Sequence, residues 1–235
     1  MDVLSDALSS LRISGSLLLR EDYAPPWAIA IPSAERLRAL LDMKSGTRVV
    51  AFHMVEFGHC EITVEGGETT VLAAGEMAVC FAGVAHRIAQ GKRARTVSVE
   101  TLLGGGANHS QPKAVGRARG ASLMCGVFLL RDTLLNPLFA ALPPLLHASL
   151  SRHGELHNLS GVARLLTQEI DRKPLGGGYV VERLLEVLCA EIIQAHVETG
   201  PGAGWLRGIK DPVVGRALAA IHSRPGDNYR IFDAT

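Results

Sequence analysis

The spacing of apolar residues changes twice along this chain. Near the N-terminus, apolar residues recur at helical intervals from Val3 to Leu11 and predict a short amphipathic helix. From about Gly15 to Leu130 the chain consists of short runs rich in Val, Ile, Thr and Phe, separated by Gly, Pro, Asn and Asp. Short strands at this spacing are typical of a β-barrel or a β-sandwich.

Two alternating runs in "EITVEGGETTVL" flank Gly66 and Gly67. Both glycines can take the positive φ angles that a tight hairpin turn requires. The pattern therefore predicts an antiparallel hairpin at this point in the barrel.

After Arg131 the periodicity becomes helical. The stretch 159–173 has an apolar face and predicts a helix with Ser160 as its N-cap. A longer helix is predicted up to Gly200, with an apolar stripe formed by Leu184, Leu185, Leu188, Ile192 and Ile193. Asp211 followed by Pro212 is a typical start for a further helix.

These patterns together predict an α+β fold, a β-barrel followed by a C-terminal helical segment. We expect residues 1–132 to form the barrel with its short N-terminal helix. Residues 133–200 form the helical segment in this interpretation, and residues 201–235 a linker with one more helix.

Composition narrows the classes of function. The chain has 235 residues, 24 basic and 23 acidic, so it lacks the basic excess typical of a nucleic-acid-binding surface. The basic stretches around Lys92 and Lys113 are interpreted as solvated loops. No apolar run approaches 18 residues and no secretory signal is visible, which predicts a cytoplasmic protein with no membrane span. The four cysteines lie far apart, as expected for reduced thiols that pack or bind metal.

Candidate chemistry lies between Phe52 and Ile88. Gly75, Gly83 and His86 in "GEMAVCFAGVAH" reproduce the spacing of the second motif of the cupin superfamily, which this region resembles. Aligned on His53, the first cupin motif places Val55 where a second His is usual and Cys60 where a Glu is usual. The resemblance implies a barrel with metal-ligand positions at His53, Cys60 and His86.

A His/Cys/His set suits Zn²⁺ better than an oxygen-handling iron or manganese centre. Cys125 is the favoured fourth ligand because Gly126 leaves room beside it. Cys80 fits the core equally well, and His59 should point away from Cys60 on a regular strand. The prediction is a structural or sensing zinc held by His53, Cys60, His86 and Cys125. The alternative is an ordinary buried core, since free cysteines and strand histidines commonly pack without metal.

The order of segments resembles a bacterial AraC-type transcriptional regulator with a cupin-type N-terminal domain. The resemblance runs from "LSSLRISGSLL" through "GGGYVVERLLEVLCAEIIQAHV" to "DPVVGRALAAIHSRPGDNY". It implies a domain that senses an unknown small-molecule effector, homodimerisation through the long helix, and DNA binding through a helix-turn-helix domain largely absent from this chain. The apolar stripe of the long helix would then be the dimer face.

A metal-dependent cupin enzyme, such as a dioxygenase or an isomerase, is the alternative function. It requires an open metal position and a nearby acid or base. Glu56 and Glu61 flank the motif, but strand alternation predicts that both point outward. No nucleophilic triad or phosphate-binding loop is present, so regulation without catalysis is the preferred interpretation.

Overall fold

The computed structural model describes residues 3–104, 120–131, 133, 136, 138–150, 157–200, 204–223 and 226. Within them the strands are β1 (Arg12–Tyr23), β2 (Trp27–Ile31), β3 (Arg48–Val64), β4 (Thr69–Ala73), β5 (Glu76–Cys80), β6 (His86–Gln90), β7 (Thr96–Ser98), β8 (Ala121–Arg131) and β9 (Leu146–Ser149). The helices are α1 (Val3–Ser9), α2 (Ala34–Leu40), α3 (Val99–Leu103), α4 (Leu138–Ala141), α5 (His157–Arg172), α6 (Gly177–Thr199), α7 (Trp205–Lys210) and α8 (Pro212–Ser223).

The strands form one curled sheet with β3 at its centre. Strand order is β1-β8-β3-β6-β2-β7, with β4 and β5 also paired to β3, and β9 paired to β5. All pairs are antiparallel except β2 with β7. The first half of β3 pairs with β5 and β8, and its second half pairs with β4 and β6. Together with the helices this is an α+β fold, as predicted.

A bend in the middle of β3 lets one strand serve both halves of the sheet. The register with β8 shifts between Val55 and Phe57, and Gly58 has φ of +74°. A Cβ at Gly58 would lie 2.0 Å from the carbonyl oxygen of Gly120, so only glycine fits there. Arg48–Val64 is therefore one bent strand and not two separate ones.

Both faces of β3 are buried, each in a different core. Val50, Phe52 and Met54 belong to an outer core between the sheet and the helices. Val49, Ala51 and Val55 belong to an inner core inside the barrel. Trp27, Ile29, Ile62 and Ile88 fill that interior and are 0% exposed. The outer core is where the helical segment attaches.

Helix α6 packs on β1 of its own chain. Leu185, Leu188, Ile192 and Ile193 are at most 1% exposed and belong to the outer core. A Cβ added to Gly15 would lie 2.4 Å from the Leu185 Cβ, so helix and strand touch closely. The apolar stripe expected to form a dimer face is thus covered within the chain, because the outer face of the sheet would otherwise be exposed to water.

Other local predictions are resolved by the structure. The Gly66–Gly67 turn is present, with Gly66 at φ +71°. Asp211 caps α8 by accepting hydrogen bonds from the backbone N–H of Val213 and Val214, at 2.8 and 3.0 Å. The Ser160 cap is wrong, because α5 already begins at His157. Residues 146–149, predicted within the helical segment, form β9 and join the sheet.

Among the described residues, no helix combines the length and apolarity needed to cross a membrane.

Candidate functional site

The inner core contains one cluster of metal-ligand side chains. His53 lies in the first half of β3, Cys80 ends β5, and His86 begins β6. Cys80 pairs in register with Ala51, two residues before His53, so Cys80 and His53 share the inner face of the sheet. A turn closed by the Gly83 N–H to the Cys80 carbonyl, at 3.2 Å, then leads to His86.

Both glycines of the cupin-like motif adopt backbone angles that favour glycine. Gly75 has φ of +82° and Gly83 has φ of +66°. A Cβ at Gly83 would also lie 2.6 Å from the Ala34 Cβ. The motif therefore fixes the turns at both ends of β5, and these turns place Cys80 and His86 together.

The ligand atoms of the cluster are close enough to share an ion. The possible donor atoms of His53, Cys80 and His86 all lie within 4.8 Å of one another. The Nε2 atoms of His53 and His86 are 2.7 Å apart, and Cys80 Sγ is 3.7 Å from His86 Nε2. All three residues are buried, with at most 5% of their surface exposed.

Hydrogen bonding assigns the proton positions of the two rings. His86 Nδ1 lies 3.1 Å from the Val84 carbonyl oxygen, which can only accept, so Nδ1 carries the proton. His86 Nε2 is then an acceptor, and His53 Nε2 donates to it. This leaves His53 Nδ1 as a buried nitrogen without a partner among the described residues.

Burial keeps the cluster uncharged. It lowers the pKa of His53 well below 6.5, and the neighbouring His86 lowers it further. Burial also lowers the pKa of His86, while the hydrogen bond to Val84 partly opposes this shift. Burial raises the pKa of the Cys80 thiol to about 12. Without a bound cation the cluster is therefore two neutral imidazoles and a thiol at neutral pH.

The four residues predicted as zinc ligands do not all meet in the structure. His53 and His86 do, but Cys60 and Cys125 lie outside the cluster and Cys80 takes part instead. Cys125 pairs with His53 from β8, whereas β5, which carries Cys80, lies on the opposite side of β3. Cys60 follows the bend at Gly58 and pairs with Leu72 of β4. The Cys125 thiol is thus a cross-strand neighbour of His53, but it does not belong to the donor group that His86 and Cys80 complete on the β5 side of β3.

Cys60 and Cys125 form a second group of buried thiols. Burial raises the pKa of Cys60 to about 12, and burial together with nearby Cys60 raises the pKa of Cys125.

Cys80 lacked a distinguishing signal in the sequence, because its position opposite Ala51 depends on strand register. Its place six residues before His86, across a Gly turn, is the one hint that the sequence carries.

The cluster fits a zinc ion with a small adjustment. Nitrogen and sulfur are the donors that zinc prefers, and the bond from His86 Nδ1 to a backbone carbonyl is usual for a metal-bound histidine. Tetrahedral zinc bonds of about 2.0–2.1 Å hold two nitrogens roughly 3.3 Å apart. The 2.7 Å separation of the two Nε2 atoms would therefore have to widen by about 0.6 Å.

A surface cleft of about 540 Å³ lies beside His86. Its lining includes Ile31, Val64 and the hairpin tip at Gly66. Arg36 in its lining forms two hydrogen bonds to Glu100, with Nε–Oε1 at 2.5 Å and Nη2–Oε2 at 3.1 Å. Glu65 and Arg87 also line the cleft, and Arg87 donates to Thr96 Oγ1 at 3.2 Å.

A curled sheet, antiparallel except for the β2–β7 pair, with inward histidines defines this protein as a cupin-fold protein. The cupin family model Cupin_6 matches residues 2–198, so the chain belongs to the cupin family.

The relatives of the chain are regulators. It is 24% identical to a "Putative AraC-like transcription regulator" of Streptomyces lividans, in an alignment covering 99% of this chain and 72% of that protein. It is 23% identical to "HTH-type transcriptional regulator AlkR" of Acinetobacter baylyi, covering 96% and 71%. ToxT of Vibrio cholerae aligns over 96% of this chain and 68% of that one, with 7% identity and a TM-score of 0.37. The predicted resemblance to AraC-type regulators is confirmed, and the names of the two sequence relatives agree with a regulatory rather than an enzymatic role.

Proposed function

We propose that this chain is the effector-sensing domain of an AraC-type transcriptional regulator and that it binds Zn²⁺ through His53, Cys80 and His86. The observation that carries the metal proposal is the meeting of three donors from three strands within 4.8 Å in the barrel interior. The regulatory role is supported by the match to an AraC-like relative over 99% of this chain and 72% of that protein.

Zinc is the preferred ion because a thiolate joins two imidazoles, while oxygen-handling iron and manganese sites favour carboxylate. Binding would remove the proton from Cys80, whose thiol is neutral when metal-free. The bound ion would hold β3, β5 and β6 together at the end of the barrel where they meet. Three protein donors leave one tetrahedral position for a further donor, so this site would not be a closed structural site with four protein ligands.

Metal analysis of untagged protein, purified without added metal, tests this proposal. We expect one zinc per chain in the wild type and less than a tenth of that in Cys80→Ser and His86→Asn. Cys60→Ser and Cys125→Ser are matched controls, since both thiols are buried in the same core, and should keep their zinc. Loss of zinc in these controls with retention in Cys80→Ser would instead favour the ligand set predicted from the sequence. A metal-free wild type that takes up no zinc on titration would contradict any zinc site.

Homodimerisation is a further part of this proposal. The stripe around Leu185 is buried within the chain, so a dimer would use the opposite side of α6. That side exposes Tyr179, Val180 and Val187, at 69%, 41% and 44%. Light scattering at about 100 µM should give twice the chain mass, and Val187→Glu should halve it. A wild-type monomer would contradict this part.

Three predictions from the sequence are kept as parts of the proposal. They are the domain boundaries at residues 132 and 200, the cytoplasmic location, and DNA binding through a helix-turn-helix domain whose first helix would be α8. The alternative of a metal-dependent enzyme finds little support in the described cluster, because Glu56 is tied to Arg20 and Glu61 is exposed. No carboxylate joins His53, Cys80 and His86 among the described residues.

A further inference from the structure

A second cavity lies where the barrel meets helix α5. Its volume is about 320 Å³, at the lower end of the range for small-molecule sites. Met54, Val55 and Glu56 of β3 form one wall, and Ala163, Arg164 and Thr167 of α5 form the other. The pocket therefore contacts both layers of the molecule.

Hydrogen bonds and ion pairs beside this pocket connect the barrel to helix α5; we call this group the polar clasp. Arg20 of β1 binds Glu56 through two hydrogen bonds, with Nε–Oε2 at 2.8 Å and Nη2–Oε1 at 2.9 Å. The same guanidinium binds Asp171 of α5. Thr167 donates to Glu56 Oε1 at 3.4 Å. The negative charge of Glu56 is thus neutralised from within the protein.

Two further polar side chains line this pocket without a described partner. They belong to Arg164 and Gln168, and neither side chain makes a hydrogen bond or ion pair with another residue in the described ranges. An arginine is charged at every physiological pH and binds carboxylates through two parallel N–H donors. The apolar part of the lining includes Met54, which is 4% exposed, and Leu150, which is 6% exposed.

We propose that this pocket between the barrel and α5 is the effector site, and that it takes a small carboxylate with a compact apolar body. The carboxylate would bind Arg164 and Gln168, and the apolar part would lie against Met54 and Leu150. Such a ligand contacts β3 and α5 at once, so its binding biases how the helical layer sits on the barrel. This inference rests on the proposed sensing function but not on the zinc site.

The pocket is favoured over the larger cleft beside His86 because it contacts the helical layer. The cleft charges Arg36 and Glu100 are paired, but Arg87 also lines the cleft without a described ion pair, so charge alone does not decide between the two sites. The described residues that line the cleft belong to the sheet, its turns and the short helices α2 and α3. A ligand there would not touch α5.

The test is a titration of the full chain with 3-phenylpropanoate, followed by NMR of ¹³C-methyl methionine. We expect a saturable shift of the Met54 methyl signal, assigned with Met54→Leu, and no saturable shift with 2-phenylethylamine. Arg164→Gln should weaken binding at least tenfold. Arg172→Gln on the same helix and Arg36→Gln in the other cleft should bind like the wild type.

Three outcomes would contradict the proposal that this pocket is the effector site. They are the absence of a saturable Met54 shift up to 10 mM, equal binding of the amine, and full binding by Arg164→Gln. Loss of binding in Arg36→Gln would move the site to the cleft beside His86 and leave the sensing function intact. Measuring zinc in the same samples keeps failure of this pocket separate from failure of the metal site.

Discussion

The two faces of strand β3 lie a few ångströms apart and behave differently. The outer face presents Val50, Phe52 and Met54 to helices α5 and α6, in a core built from apolar side chains. The inner face presents His53 into a core that also holds Cys60, Cys80 and Cys125. One strand therefore holds the helical layer with one set of alternate residues and the candidate chemistry with the other.

The difference shows how one sheet can separate the packing of the helices from the candidate metal chemistry. Side chains at alternate positions point to opposite faces, so each face can change without altering the composition of the other. The outer face depends on shape and apolar contact, while the inner face also depends on protonation and on metal. The following predictions test this separation, from the largest expected effect to the smallest.

Removing an aromatic ring from the outer face should have the largest effect. Phe52 is 0% exposed and stacks on Phe128 with centroids 4.6 Å apart. Phe52→Ala should lower the free energy of unfolding by about 3–5 kcal/mol, measured by urea denaturation. Phe57→Ala on the same strand is the control, since Phe57 is 44% exposed, and should change it by less than about 0.5 kcal/mol. Equal effects would contradict the burial of this face.

Overpacking the contact between α6 and β1 should come next. Gly15→Val would push a Cβ to 2.4 Å from the Leu185 Cβ and should cost about 1–3 kcal/mol in urea denaturation. Gly161 of α5 has open space where a Cβ would lie, so Gly161→Ala should stabilise by about 0.5–1 kcal/mol. A neutral Gly15→Val would mean that α6 does not pack on β1.

The inner face should respond to pH in metal-free protein. The folded-state pKa of His53 and of His86 lies below 6.5, so the unfolded chain binds more protons as the pH falls through 6.5. Stability should therefore be full above about pH 7 and fall below it, by up to about 1.4 kcal/mol per pH unit for each histidine.

Urea denaturation between pH 7.5 and 5.5 with a chelator present measures this slope. His53→Gln should reduce the slope, and His59→Gln should keep it because His59 is exposed. An unchanged slope in His53→Gln would contradict the assignment to the buried pair.

The polar clasp at the edge of the outer face should have the smallest effect. Hydrogen bonding to Arg20 lowers the pKa of Asp171, and Arg20 and Glu56 are only partly exposed. Arg20→Gln should cost about 1 kcal/mol at pH 7 in urea denaturation, because solvent screens this pair. Arg172→Gln should be nearly neutral, since its ion pair with Glu169 is long, at 4.0 Å, and exposed on the Arg172 side. A loss of similar size in both variants would argue against a specific clasp.

Several features were accessible from the sequence because they depend on local chemistry. Gly66 and Gly67 marked their hairpin, and Asp211 with Pro212 marked the start of α8. The spacing of Gly75, Gly83 and His86 indicated the cupin barrel, and both glycines take positive φ angles. These requirements act within a few residues, so a linear pattern can express them.

Other features depended on which segments meet in space. Residues 146–149 follow a proline-rich apolar run, and their pairing with β5, not their own pattern, makes them a strand. The apolar stripe of α6 is equally compatible with a core face and a dimer face. It packs against the sheet because the outer face of the sheet would otherwise be exposed to water. Periodicity reports that a face is apolar but not what covers it.

The sequence alone determined the barrel class, the order of segments and two of the clustered residues, His53 and His86, because each follows from motif spacing or periodicity. Tertiary structure alone decided that Cys80 joins them while Cys60 and Cys125 do not. The reason is strand pairing: β5 and the turn after it bring Cys80 and His86 together on one side of β3, while Cys125 pairs with His53 from β8 on the other side. Register is fixed by contacts between segments far apart in the chain, and no single segment encodes it.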